Sequence, residues 1–129
     1  MRLLLDTHAF LWAASDPAQL GDRARALILD PANERLRSVA SAWEMSIKYR
    51  TGKLLLEPSP HEFIAEQLAR LQATVLPIEL RHLAPVASLP LHHRDPFDRL
   101  LIAQALVEGV PLLSRDPALD AYEGLVRVW

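Results

Sequence analysis

Five carboxylates stand where apolar segments begin or end, or inside one: Asp6, Glu44, Asp95, Asp98 and Asp116. Asp6 closes the run Leu3-Leu4-Leu5, and Asp116 lies just past Leu112-Leu113-Ser114. Asp95 and Asp98 open the stretch Pro96-Phe97-Asp98-Arg99-Leu100-Leu101-Ile102-Ala103-Gln104-Ala105. Glu44 sits within Ala42-Trp43-Glu44-Met45, so its side chain is expected to point inward. Acids that share a pocket repel one another and raise each other's pKa. A divalent cation removes that repulsion. Oxygen ligands in a chain without cysteine suit Mg²⁺ or Mn²⁺. Such an ion is commonly shared with phosphates and promotes phosphodiester cleavage by activating water.

Other side chains surround this set. Ser114 can hydrogen-bond a water held at such a site, or simply satisfy a strand end. Lys48, Arg94, Arg99 and Arg115 are close to the acids in sequence and are candidates for phosphate contacts. His8, His92 and His93 have no zinc-motif spacing and are read as rim or supporting groups. Each acid also has a plain structural reading. Asp6 and Asp95 suit helix N-caps, Asp116-Pro117 suits a turn, and Glu44 can be a lone half-buried helix acid. Their joint occurrence argues for a site.

The elements that must position these acids follow from local pattern. Arg2 to Leu5 reads as a buried strand, followed by a short helix from Ala9 to Ala14 that Ser15-Asp16-Pro17 breaks. A second helix spans Gly21 to Leu29, and a second strand Arg35 to Val39. Ser41 is expected to cap the helix that carries Glu44 and Lys48, with Gly52 at its carboxyl end. After the break at Pro58-Ser59-Pro60 come a helix from His61 to Leu71, a strand from Thr74 to Pro77 and a helix from Leu80 to Ala87. Asp95 as N-cap and Pro96 at the first position start a helix that runs to Glu108 and ends at Gly109. That helix is apolar on nearly every side, as buried helices are. Strands at Pro111 to Ser114 and Leu125 to Trp129 complete the chain. Strands alternating with helices imply an α/β fold: a doubly wound, mostly parallel sheet of about five short strands flanked by helices. Sites in such sheets lie at the carboxyl ends of strands, where Asp6 and Asp116 fall.

In these motifs the chain resembles PIN-domain proteins, and more narrowly VapC-type toxin ribonucleases. The resemblance rests on Leu4-Leu5-Asp6-Thr7-His8, on Ser41-Ala42-Trp43-Glu44-Met45-Ser46-Ile47-Lys48 with Gly52-Lys53-Leu54, on Arg94 to Ala105, and on Leu113-Ser114-Arg115-Asp116. It covers the whole chain in order, and the block from Arg94 is the most specific. It implies a single PIN-like domain over residues 1–129. It also implies Mg²⁺- or Mn²⁺-dependent endoribonuclease activity, in which a metal-activated water cleaves RNA. Asp6, Glu44, Asp98 and Asp116 carry over as the acidic set, with Asp95 an extra acid of the subgroup and Ser114 matching the residue two places before the last acid. A homodimer and a cognate antitoxin that blocks the site are further implications.

Composition sets the outer bounds. The 129 residues include 50% hydrophobic and 23% charged ones, which suits one domain with a real core. A formal net charge of −2 excludes a polycation, so nucleic acid must be met by a local basic rim or through bound metal. Asp6 interrupts the first apolar run, so no signal peptide is expected, and no run is long enough to span a membrane. With no cysteine, the chain is expected in the cytoplasm. Two other readings stay open. One is a different phosphate-handling α/β hydrolase, such as a haloacid dehalogenase-like phosphatase, although Asp6-Thr7-His8 lacks the second acid of Asp-x-Asp. The other is a non-catalytic interaction module whose acidic pocket holds a partner's basic side chain.

Overall fold

In the computed structural model, residues 1–57 and 59–129 are described. Among these residues the chain forms a five-stranded sheet in the order β3-β2-β1-β4-β5. The strands are β1 (Arg2–Leu5), β2 (Glu34–Ser38), β3 (Ala73–Leu76), β4 (Leu112–Leu113) and β5 (Arg127–Val128). All four pairings are parallel, so the expected mostly parallel sheet is parallel throughout. The α-helices are α1 (Thr7–Ser15), α2 (Asp22–Leu29), α3 (Val39–Arg50), α4 (Pro60–Arg70), α5 (Leu80–Leu83) and α6 (Pro96–Glu108).

Side chains alternate across each strand, so β1 feeds two cores. Leu3 and Leu5 pack with Phe10, Ile28, Met45 and Leu113 on one face. Leu4 packs with Leu36, Ile102, Leu112 and Tyr122 on the other. Burial on both faces explains why β1 is an uninterrupted leucine run rather than an alternating one. The chain builds outward from β1 to β3, then returns to the other side of β1 to lay down β4 and β5. The strand order therefore reverses between β1 and β4, and a crevice opens beyond their carboxyl ends.

Several boundaries differ from the sequence expectation. Ser38, not Ser41, caps α3: its hydroxyl accepts from the Ala40 N–H, and the helix begins at Val39. Ser41 lies inside α3, fully buried, and its hydroxyl has no hydrogen-bond partner among the described residues. The strand ends at Ser38, one residue before the expected Val39, so the first available hydroxyl takes the cap. The expected helix from Leu80 to Ala87 divides into α5 and a 3₁₀ turn at Pro85–Ala87, because Pro85 lacks the N–H that would continue it. Two further 3₁₀ turns, Pro17–Gln19 and Pro117–Ala121, each begin on a proline after an Asp. The helix expected from Pro96 to Glu108 is found with those limits. Asp95 accepts from the N–H groups of Phe97 and Asp98, and Gly109 ends the helix at φ +64°. Of the expected break at Pro58-Ser59-Pro60, Pro58 lies outside the described residues, while Ser59 caps α4.

Candidate active site

A cleft of about 310 Å³ opens at the reversal point, lined by Asp6, Glu44, Asp95, Asp98 and Asp116 together with Lys48 and Ser114. Each acid arrives by a local device. Asp6 leaves β1 in extended conformation and caps α1, its Oδ1 accepting from the Ala9 N–H at 2.7 Å. Glu44 faces inward from α3 and is 5% exposed. Its Oε1 accepts from the Thr7 hydroxyl at 2.6 Å, and its Oε2 meets the Lys48 ammonium one helical turn on at 2.7 Å. Asp98 sits in the first turn of α6, whose cap is Asp95. Asp116 follows β4 and caps the last 3₁₀ turn, with Oδ1 accepting from the Ala118 N–H at 3.0 Å.

Asp116 has a second partner that sequence alone left as a rim group. His93 Nε2 stands 2.6 Å from Asp116 Oδ2, and His93 Nδ1 stands 2.8 Å from the hydroxyl of buried Tyr122. A carboxylate only accepts, so Nε2 carries a proton and the ring is oriented from both sides. This bond holds the Asp116 carboxyl below its ordinary range. Asp98 is displaced the other way, up to about 6, by burial and then by the facing charges of Asp95 and Glu44. Burial also raises Asp6, and a hydrogen bond from Ser114 offsets part of that rise. The Lys48 ammonium is raised by its bond to Glu44.

The donor set fits a hard divalent cation. It offers carboxylate oxygens, and two of the acids are pushed toward the neutral form, first by burial and then by neighbouring carboxylates. It is not a ready-made chelate. Among the described residues no three His, Cys, Asp or Glu side chains form a metal-holding group. Lys48 and Thr7 engage Glu44, and His93 engages Asp116, which leaves Asp6 and Asp98 with the least compensated charge.

The basic residues divide into two kinds. The Arg99 guanidinium donates to the carbonyls of Val86, Leu89, Pro90 and His93 at 2.8–3.3 Å, which pins the loop entering α6. Lys48 lines the cleft, and Arg94 and Arg115 are exposed. The lining residues Thr7 and Trp12, and the buried Arg37 linked by charge to Glu44 and Asp6, were given no role in sequence. Trp12 stands four residues after His8, a spacing that puts both on one helix face. Arg37 is 1% exposed, with its guanidinium 3.7 Å from the Phe10 ring centroid and its Nε and Nη1 without hydrogen-bond partners among the described residues. Burial lowers its pKa to about 9, against the opposing pull of Glu44 and Asp6.

A parallel α/β sheet with acids gathered at its reversal point is the frame of the PIN domain, and the family profile of that description matches residues 3–125. The chain belongs to the PIN-domain family. It is 33% identical over 63 residues to Ribonuclease VapC16 of Mycobacterium tuberculosis (strain ATCC 25618 / H37Rv), a stretch covering 49% of this chain and 45% of that protein. The match thus spans about half the length of that curated relative. Among solved structures, the fold is similar to VapBC2 from Rickettsia felis bound to a promoter DNA fragment, with a TM-score of 0.74 at 14% identity over 99% of this chain and 98% of that one. It is also similar to DNA-bound VapBC from Salmonella typhimurium, with a TM-score of 0.69 at 14% identity over 99% and 97%. FitAcB from Neisseria gonorrhoeae gives 0.59 at 19% identity over 98% and 96%. At these identities the likeness concerns the fold.

Proposed function

We propose that this chain is a divalent-metal-dependent endoribonuclease and the toxin of a toxin–antitoxin pair. The observation that carries this reading is the convergence of Asp6, Glu44, Asp98 and Asp116 on one cleft at the reversal point of the sheet. Asp6 and Asp98 would hold Mg²⁺ or Mn²⁺, with Glu44 and Asp116 completing the acidic set. A bound cation supplies Lewis-acid chemistry, activating water and offsetting the charge that develops on the phosphodiester. The chain's own residues do the rest. Thr7 and Lys48 fix the Glu44 carboxylate, and the Tyr122–His93 pair fixes Asp116. The Ser114 hydroxyl accepts from the Asp116 N–H at 3.2 Å and so orients the turn that carries Asp116. Asp95 anchors the first turn of α6 and adds negative charge beside Asp98. Lys48 and Arg94 meet the RNA backbone and Arg115 meets the RNA beside Trp12, whereas the carbonyl-bound Arg99 orders the loop behind them. Residues 1–129 act as one unit, because the sheet that carries Asp6 and Asp116 runs from the first residues to the last.

Partners follow from the relatives. The structures of similar fold include VapBC complexes, and we infer a cognate antitoxin that covers the cleft, and a homodimeric toxin. No helix among the described residues is long and apolar enough to cross a membrane. The reading as a non-catalytic acidic pocket predicts no turnover, which makes cleavage the deciding measurement. The chain should cut single-stranded RNA in Mg²⁺ or Mn²⁺ and stop on addition of EDTA. Asp98→Asn should lower the rate by several orders of magnitude. Full cleavage in EDTA, or full activity in that variant, would overturn the proposal. A small upstream open reading frame whose product blocks cleavage is the expected antitoxin.

A further inference from the structure

Beside the acidic cleft lies a second one of about 320 Å³, lined by His8, Trp12 and Arg115 together with Asp6, Ser114 and Asp116. The two share Asp6, His8, Ser114 and Asp116, but only the second adds an indole and a guanidinium. Trp12 is half-buried on α1, with the His8 ring 5.3 Å away at one side and Trp129 packed edge-on at 5.7 Å. The exposed Arg115 lies over the Trp12 ring at 5.9 Å. Part of the Trp12 side chain packs against the core that holds Leu5, Phe10 and Leu113, and the rest lines the space next to the acids, with the Arg115 guanidinium over it.

We propose that this second cleft is a subsite for one unpaired nucleobase of the RNA, adjacent to the phosphodiester that is cut. The inference rests on the ribonuclease reading and extends it to substrate recognition. Single-stranded RNA is gripped by stacking its bases on aromatic rings and on arginine planes, because every base has a π-face. Trp12, His8 and Arg115 supply those surfaces. Asp6 and Asp116 line both clefts, but Glu44, Asp95 and Asp98 line only the first and Trp12 and Arg115 only the second, and this difference sorts the nucleotide. The acids repel a phosphate unless a cation intervenes, whereas an uncharged base suffers no such repulsion. The phosphate therefore belongs with the acidic set, and the base with Trp12. A cleft of this size lies at the lower end of the range for small-ligand sites, about 300–1,000 Å³.

The test uses the full chain carrying Asp98→Asn, to suppress cleavage, and a fluorescent single-stranded RNA octamer in Mg²⁺. The octamer is made abasic at each position in turn, and Kd is read by anisotropy. One abasic position should weaken binding roughly tenfold, the scale of one base–aromatic stack. Adding Trp12→Leu should weaken the intact octamer by a similar factor and erase the difference at that position. Trp12→Phe should restore most of it. Arg115→Gln changes an exposed side chain, leaves the core intact and should produce a smaller loss at the same position. In the cleavage-competent chain, Trp12→Leu should raise KM while kcat stays within a few-fold. A flat abasic profile overturns the proposal and returns Trp12 to packing or to contact with a protein partner. So does an unchanged profile in a well-folded Trp12→Leu protein. If metal-dependent cleavage persists with a flat profile, the subsite falls and the ribonuclease reading stands. If the chain neither cuts nor binds RNA, both fall.

Discussion

Burial is the main reason that the Asp98 carboxyl is pushed up to about 6, and the charges of Asp95, Glu44 and Asp6 add to the rise. The consequence for stability has a definite sign. A carboxyl whose folded pKa is raised from 3.8 to about 6 makes the fold bind more protons than the unfolded chain between those values. The associated stability is fully present below 3.8 and is lost as pH rises through about 6. Asp6, also raised, acts in the same direction. Asp116, Asp120 and Glu108 act oppositely, but their effect falls below their ordinary values of 3.8, 3.8 and 4.5. In EDTA the melting temperature should therefore fall between pH 4.5 and 6.5, and Asp98→Asn should flatten the fall. Calorimetry across that range checks it, and an equal slope in both proteins would contradict the assignment. Asp95 is a different case despite its closeness. Its Oδ1 takes the N–H groups of Phe97 and Asp98 at 2.8 and 3.2 Å, which makes it a cap. Asp95→Ser keeps an acceptor and removes the charge. It should melt normally and lose only a modest factor in rate, whereas Asp98→Ser should lose activity deeply. Equal losses at unchanged melting temperature would reverse the ranking of the two acids.

Beyond the apolar packing, one polar anchor ties the start of α3 to α6, and it is specific. Ser38 accepts from the Ala40 N–H and donates to the buried Gln104 of α6, whose amide in turn donates to the Pro77 carbonyl. One hydroxyl thus joins the start of the Glu44 helix to α6. Ser38→Ala should remove the cap and orphan Gln104, destabilising the protein by about 1–3 kcal/mol. Ser41, three residues on and equally buried, has no such partner among the described residues. A buried hydroxyl without a partner carries a desolvation cost, so Ser41→Ala should be neutral or slightly stabilising. Urea midpoints of the two variants give the comparison. Similar losses from both would show that the hydroxyls, not their partners, matter.

On the scale of the whole molecule, the sheet brings like charges together at one end. A ligand that binds only the folded state and neutralises them stabilises it by mass action, by about 2.7 kcal/mol at 100 times its dissociation constant. Millimolar Mn²⁺ should raise the melting temperature at pH 7 relative to EDTA. Asp6→Asn should reduce that gain while keeping an oxygen to accept the Ala9 N–H. A midpoint unmoved by Mn²⁺ would argue against an acidic site able to take an ion. The site draws on the chain after β1, on α3, on α6 and on the turn after β4, so it needs residues from Asp6 to Asp116 folded together.

Local pattern was enough for much of this protein. The Leu3 to Leu5 run declared a strand buried on both faces, and Asp95-Pro96 with Gly109 marked both ends of α6, because caps and breakers act through neighbouring backbone groups. The acids at segment boundaries were legible for the same reason. What only the tertiary structure decided concerns residues whose role depends on distant partners. Arg35 and Arg37 alternate with Leu36, a pattern that suits a strand with one wet face, yet both arginines are buried. The cause is the position of β2 between β1 and β3, with helices over both faces. Arg35 escapes the cost by donating to the carbonyls of Leu71, Ile28 and Asp30, while Arg37 lies against Phe10 with the acids nearby. The His93–Asp116 bond spans 23 residues, and the Ser38–Gln104 bond spans 66. The meeting of His8, Trp12 and Arg115 beside the acids likewise depends on β4 returning alongside β1. No local rule encodes such pairings, since they exist only once the chain has doubled back and water has been excluded from between its elements.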